Sequence, residues 1–326
     1  MPDHDLLVRA ARLYFELGET QEHVAEQLGV NRPQVSRLLK EARACGIVEI
    51  RINDGSPPDH AVAEALAERF GLRGVHLVAR LGGPEDLTRR LVAQEAARIL
   101  RERIRDGMIV GVGGGATTGA TIEALAVQPV QADVTVVPLT GGMSGSHGPT
   151  QLVLRLADIL GGLALELPAP GVMESAQVRD ALCRHDAVDA VLRVWGQLDV
   201  ALVGVGVPSW SPSWFGAELA ERIREGHAAG EILAWPYDLS GRSVVPELAD
   251  RIIAMHPAEL PRVPTAIVAA SGDAKVPPLL GALRAGYVKS LVTDIATAIA
   301  VLRLDDETRV GAGIEPPAAA HLGVGS

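Results

Sequence analysis

The sequence predicts an α/β protein: a small winged helix-turn-helix, then a larger, Rossmann-like domain built on a largely parallel sheet. Three observations carry that prediction. Residues 5–52 hold three helical patterns and one alternating pattern. Beyond a stretch dense in turn formers, short continuous apolar runs alternate with helical patterns to about residue 302, as strands buried on both faces require. The bulk composition supports a sizeable core, with 48% hydrophobic and 21% charged residues in a chain of 326.

The first element is a helix over residues 5–18, with Leu6, Leu7, Ala10, Leu13, Tyr14 and Leu17 at helical spacing and Gly18 as its stop. Thr20 caps a short helix, Gln21–Leu28, by accepting from the free N–H groups of its first turn. Gly29 supplies the left-handed turn, and small Ala25 lets two helices cross closely. Asn31 caps the third helix, which runs to about Ala44 with Pro33 in its first turn, where a missing N–H costs nothing. Val35 and Leu38 face inward; Arg32, Gln34, Ser36, Arg37, Lys40 and Arg43 face out, types that meet base edges and phosphates. Between Asn31 and Arg51 five Lys/Arg stand against two Glu, while the chain as a whole carries −10. That segment is therefore the surface suited to a phosphate backbone. A solvated amphipathic helix in an ordinary helical hairpin is the alternative reading. Ile47–Ile52 then alternates apolar and charged residues as a strand.

Asn53–Asp59 reads as a linker. Strands are expected at Val75–Ala79, Met108–Val112, Val134–Leu139, Val200–Val205, Ile252–Met255, Ala266–Ala270 and Ser290–Thr293. Helices are expected at Glu85–Ile104, Gln151–Leu160, Ser175–Cys183, Ala217–Glu225, Pro278–Ala285 and Ile295–Leu302, with Asp294 capping the last. Residues 303–326 read as a loosely held tail.

Several classes of protein are disfavoured. Aromatics are 3% of the chain, too few for single-strand stacking platforms. Cys45 and Cys183 show no metal or redox spacing and fit two small buried residues in a reducing compartment. The nine histidines form no HxH or HExxH pattern. A signal sequence and an apolar run of about 20 residues are both missing, so a cytoplasmic protein, without membrane partner, metal or cofactor, is expected.

Three loops carry candidate chemistry. Gly111–Gly119 (GVGGGATTG) follows a strand and opens a helix, so Gly113 and Gly115 let backbone approach a ligand while Thr117 and Thr118 add hydroxyls. It is either a phosphate cradle or a structural turn. A dinucleotide site is the rival, but the spacing is not GxGxxG and no acid ends the next strand. Thr140–Gly148 follows the neighbouring strand and places Thr140 and Gly141 beside the first loop. Ser271–Lys275 follows a third strand; Lys275, one of three lysines, is either a compact cation able to form a Schiff base or an ordinary helix-start lysine. Asp238 is either an acceptor for a sugar hydroxyl or the head of an Asx turn.

These segments, in this order, resemble the SorC family of sugar-responsive transcription regulators, over roughly residues 6–302. Ala11–Ile52 is similar to the family's helix-turn-helix nearly position for position. Further matches are GVGGGATTG, Leu139–Gly142, Leu167–Gly171, Asp199–Gly206, the Asp238/Gly241 turn, SGDAK ending at Lys275, and Leu291–Ala298. The resemblance implies a winged helix-turn-helix over 1–53, a linker over 54–60, and an effector and oligomerisation domain over 61–326, similar in fold to sugar-phosphate isomerases. It implies operator DNA as a partner, a dimer or tetramer, and control of carbohydrate use by a sugar phosphate, sugar or polyol. Gly113, Gly115, Thr117 and Thr118 would hold a phosphate, Thr140 and Gly141 would flank it, and Asp238 and Lys275 would meet the sugar. The sequence departs from the family where Gly230-Glu231-Ile232 stands for the common Gly-Asp-Ile and leads into Ala234-Trp235-Pro236-Tyr237. An isomerase- or deaminase-like enzyme using Lys275 and Asp238, or an NAD-linked sensor, are the alternatives.

Overall fold

The structure is a computed structural model that describes residues 4–48, 59–80, 85–142, 148–207 and 215–311. Two compact units divide the chain, one over Met1–Pro57 and one from Pro58 onward apart from Ala126–Pro129.

The first unit holds helices α1 (His4–Ala11), α2 (Gln21–Leu28) and α3 (Arg32–Ala44). Leu7, Ala10, Val24, Ala25, Val35, Leu38, Leu39 and Ala42 close one core between them. The caps are those the sequence names: Thr20 accepts from His23 N–H, and Asn31 and Gln34 form a reciprocal capping box. Gly29 sits at φ 67° between α2 and α3. The expected single helix over 5–18 is not continuous. It gives way at Ala11 to a π turn, Arg12–Glu16, closed by Leu17 N–H on Arg12 O at 3.0 Å. The extra residue in the turn lets adjacent Tyr14 and Phe15 both pack on the core. Ile47 and Val48 pack there as well; the rest of the expected wing strand and the linker to residue 58 lie outside the described residues.

The second unit begins with α4 (Asp59–Phe70), which starts inside the stretch read as linker. There follow β1 (Gly74–Val78), α5 (Glu85–Arg103), β2 (Ile109–Val112), α6 (Ala116–Val127), β3 (Thr135–Pro138), α7 (Pro149–Leu160) and β4 (Leu163–Ala164). Next come α8 (Ala176–Cys183), α9 (Asp186–Val194), β5 (Val200–Gly204), α10 (Ala217–Glu225) and the antiparallel hairpin β6 (Gly230–Ile232) and β7 (Trp235–Tyr237). The last elements are β8 (Thr265–Ala269), α11 (Val276–Arg284), β9 (Ser290–Asp294) and α12 (Ile295–Gly311). Seven strands form one parallel sheet in the order β1-β9-β8-β5-β2-β3-β4. Residues of α4, α11 and α12 share one core with Ala201, Val203 and Val205 along β5. Buried residues of α5 and α7 pack on the sheet as well, and Thr118 of α6 lies over Gly204 of β5.

Four expectations need correction. Ile252–Met255 is not a strand; Ile252 and Ala254 make isolated bridges to Val172 and Thr140, between 3-10 turns begun by Pro246 and Pro257. Its apolar run is buried by loops, which burial alone does not distinguish from a sheet. The tail from 303 is helical through Gly311, because Asp305, fully buried on α12, is held by Arg284 at 2.6 Å, Arg309 at 2.8 Å and Arg69 at 3.5 Å. Cys45 is exposed and Cys183 half-buried, so neither is a core residue. Finally, α4, α9, β4 and the β6–β7 hairpin lie outside the elements the sequence predicts.

Candidate functional site

The connections fix where a ligand can sit. From β2 the chain steps through β3 to β4, and from β5 it steps the opposite way through β8 to β9. Adjacent β2 and β5 therefore bound the point where winding reverses. Open parallel sheets usually bind ligands in the crevice beyond the carboxyl ends of the strands at such a switch point.

One wall is the start of α6. Gly115, at φ 122°, precedes the helix with no side chain to cap it, and Gly119 N–H makes a bond back to Gly115 O at 3.0 Å. The N–H groups of Ala116, Thr117 and Thr118 therefore have no partner within the helix, and the helix dipole adds partial positive charge there. Thr118 is 1% exposed, yet its Oγ1 has no hydrogen-bond partner among the described protein atoms. Beneath it lies Gly204 at the end of β5, where a Cβ would stand 3.7 Å from that oxygen. Thr117 is half-buried beside it, and its carbonyl accepts from Thr121 Oγ1.

The loop after β8 closes another side. Lys275 Nζ donates to Val205 O, just past β5, at 2.6 Å. Asp294 caps α12 by accepting from Thr297 N–H at 3.0 Å, as expected, and also accepts from Gly272 N–H at 3.2 Å. Arg80 donates twice to Asp273, at 2.7 and 3.0 Å, and holds that carboxyl below its usual range. Asp294, and Arg80 through Asp273, thus position the five-residue segment that presents the lysine.

Glu231, outside the set picked from sequence, stands at the same place. It pairs with Gly206 through both backbone groups, and its carboxylate lies over Gly206 where a Cβ would collide with it. Glu231 Oε2 accepts from Ala234 N–H at 2.7 Å. Burial pushes its pKa up; the Ala234 bond and the Lys275 charge oppose that without reversing it. The sequence signal was the Gly-Glu-Ile departure, but nothing in the sequence placed it beside Lys275.

Other expected residues fall elsewhere. Gly113 is buried with its N–H on Leu202 O at 2.9 Å. Gly141 N–H donates to Ile253 O at 2.8 Å, and the residue presses on Pro170 so closely that a Cβ would collide with that carbonyl. Both are packing glycines, and buried Thr140 forms a bridge with Ala254. Asp238 takes the Asx-turn role: Oδ1 accepts from Ser240 N–H, Ser240 Oγ and Arg242 N–H at 2.6 to 2.9 Å. Burial raises its pKa, but these bonds outweigh it and lower the value overall. Its turn packs on Gly281 and, through Gly241, on Ala285, roughly 9 Å along α11 from Lys275 at about 1.5 Å per residue. The Asp238 turn and Lys275 thus meet α11 about six residues apart.

A cavity of about 370 Å³ opens between α5, α6 and α7, lined by Arg89, Arg90 and Arg155. Its charges are matched: Arg155 pairs with Glu123 at 2.9 Å and Asp158 at 3.2 Å, and Arg90 with Asp86 at 2.9 Å. Among the described residues it has no buried polar side-chain group without a partner, unlike Thr118.

In the first unit, Arg32, Gln34, Ser36, Arg37, Lys40 and Arg43 are all exposed on α3, opposite buried Val35, Leu38 and Leu39. Their states differ. Gln34 is committed to the capping box with Asn31, Arg32 pairs with Glu22 at 3.0 Å, and the Arg43 guanidinium lies 5.1 Å from the Phe15 ring centre. Thr20, at the start of α2, is exposed and bonded to His23 N–H.

A three-helix unit with a cationic exposed helix, joined to a doubly wound domain with a glycine-threonine loop at its switch point, is the arrangement of a ligand-responsive DNA-binding regulator. Comparison with known proteins agrees. Residues 59–303 match the Sugar-bind family, described as "Putative sugar-binding domain". The chain is 29% identical to the sorbitol operon regulator of Klebsiella pneumoniae over 92% of this chain and 98% of that one. It is 30% identical to the deoxyribonucleoside regulator of Bacillus subtilis over 91% and 97%. The crystal structure of the full-length Klebsiella pneumoniae sorbitol operon regulator superposes with a TM-score of 0.73 at 27% identity, covering 93% of this chain and 99% of that chain. The chain belongs to the SorC family of transcription regulators, with a DNA-binding unit and a domain of the carbohydrate-effector type.

Proposed function

We propose that the crevice between β2 and β5 binds a phosphorylated sugar or polyol, and that its occupancy controls how a homo-oligomer holds operator DNA. The observation that carries this is the buried Thr118 hydroxyl, without a partner among the described residues, in the first turn of α6 behind Gly115. An anion there would receive that hydroxyl, the first-turn N–H groups and the Thr117 side chain, with Gly115 allowing close approach. Lys275, tied to Val205 O, would supply the compact cation on the β5 side. Gly113, Thr140 and Gly141 would shape the loops without touching the ligand, and Asp238 would stay outside.

On α3, Ser36 and Arg37 would read base edges, and Arg32, Lys40 and Arg43 would meet phosphates, with Thr20, Asn31 and Gln34 fixing the helix ends. A single recognition helix offers too few contacts for a specific site, so an oligomer with paired half-sites is the functional form. It would work without cofactor, in the cytoplasm.

A binding role fits better than catalysis, since Lys275 spends a donor on a main-chain carbonyl and the Asp238 carboxylate is committed to its own turn. No acid ends β3 to take a dinucleotide ribose. The test is fluorescence anisotropy of duplex DNA from the chain's own upstream region, at low salt, titrated with sugar and polyol phosphates. Binding that changes on adding one of them supports the reading. Failure to bind duplex DNA in any condition, or turnover of the sugar phosphate, ends it.

A further inference from the structure

Among the described residues, His227, Leu233 and Ala234 are the non-glycine residues at positive φ. The last two are adjacent and make the whole loop of the β6–β7 hairpin, since Ile232 pairs with Trp235. A two-residue hairpin loop with φ of 52° and 65° is of the type that favours Asn-Gly. Leu-Ala is a poor choice for it. Such strain persists only where surroundings impose it, and it gathers at ligand sites.

The surroundings here are specific. Glu231 accepts from Ala234 N–H and so ties down the second strained residue, while Glu231 itself is paired to Gly206 at the end of β5. Leu233 does not project into solvent; it is 6% exposed, belongs to the apolar core with Val203 and Tyr237, and reaches Gly113 just past β2. A Cβ on Gly113 would lie 3.0 Å from Leu233 Cδ2 and 3.3 Å from Val203 Cγ1. Val203 belongs to the sheet face opposite the one on which Gly204 meets Thr118. The isobutyl group therefore stands across the β2 and β5 ends from the start of α6.

We propose that Leu233 is a specificity-determining residue of the crevice: it limits how far a ligand anchored at the α6 start extends across the strand ends. Glu231 is the positioning residue that holds it there. This rests on reading the crevice as an anion site, and the experiment separates the two.

Isothermal titration of the full chain would use inorganic phosphate, glycerol 3-phosphate and glucose 6-phosphate, on wild type, Leu233→Ala, Leu233→Met and Leu233→Phe. Inorganic phosphate, too small to reach the wall, should bind all four within about twofold. Leu233→Ala should raise the preference for the six-carbon over the three-carbon ester by about tenfold, on the scale of small volume changes in apolar pockets. Leu233→Phe should shift it the other way, and Leu233→Met should leave it unchanged. Leu233→Phe carries the test should the alanine variant melt below the assay temperature. Phosphate binding intact with an unchanged ester preference in both Leu233→Ala and Leu233→Phe overturns the role of Leu233 and leaves the anion site standing. No binding of any probe to wild type overturns both.

Discussion

Replacing Thr118 by valine should make the free protein more stable and its effector response weaker. The two side chains are nearly isosteric, so the change is close to removing one hydroxyl from a site 1% exposed. That hydroxyl has no hydrogen-bond partner among the described residues, and burying such a group costs about 1–3 kcal/mol. Taking the lower end, about 1 kcal/mol of stabilisation raises Tm by roughly 2–4 °C for a domain of this size. A hydrogen bond to a charged ligand contributes about 1.5–3 kcal/mol, so affinity for an anion at the α6 start should fall roughly ten- to a hundredfold. Differential scanning fluorimetry with and without phosphate esters reads both. A Tm that falls in the absence of ligand would show that the hydroxyl already has a partner. A Tm that rises while ester affinity is unchanged would show that it does not face the anion.

Other perturbations act at separate places. Asp305→Asn should cost about 3–5 kcal/mol in urea denaturation, because Arg284 and Arg69, both mostly buried, lose the charge that holds them. Glu231→Gln keeps an acceptor for Ala234 N–H but removes the ionisation. Because burial raises the folded pKa of Glu231, wild-type stability from this group is full below the ordinary glutamate value and is lost as pH rises through the folded one. The Tm advantage of the glutamine variant should therefore grow from pH 4 toward neutrality, and a constant difference would contradict the assignment. Lys40→Ala should weaken binding to all duplexes and flatten the salt dependence by about one unit, whereas Arg37→Ala should cost about 1–3 kcal/mol on the operator alone. Anisotropy at several salt concentrations distinguishes them.

The first unit was readable because its determinants are local. Thr20, Gly29, Asn31 and Pro33 each act within a turn of their own position, so helix ends follow from residue type. The sheet was readable for a related reason: strands buried on both faces are apolar, and β2, β3, β5 and β8 fall on such runs, while edge strand β1 and β9 fall on mostly apolar runs interrupted by His76 and by Thr293. Where the reading failed, the deciding partner was distant in sequence. Ile252–Met255 is as apolar as a strand, but loops rather than strands lie beside it. The charged segment after Leu302 is helical because Asp305 meets Arg69 and Arg284.

Residue order alone determined the alternation of strands and helices, the capped cationic helix, and the glycine-threonine loop that opens α6. Only the tertiary structure decided which of the candidate residues meet. It put Lys275 beside Glu231 and the β5 end, moved Asp238 about six residues along α11, and turned Gly141 to packing against Pro170. The reason is that helical and strand periodicity fix what a side chain faces within its own element. Which loops converge depends on strand order, and in a parallel sheet that order is set by crossovers that bring residues far apart in the chain together.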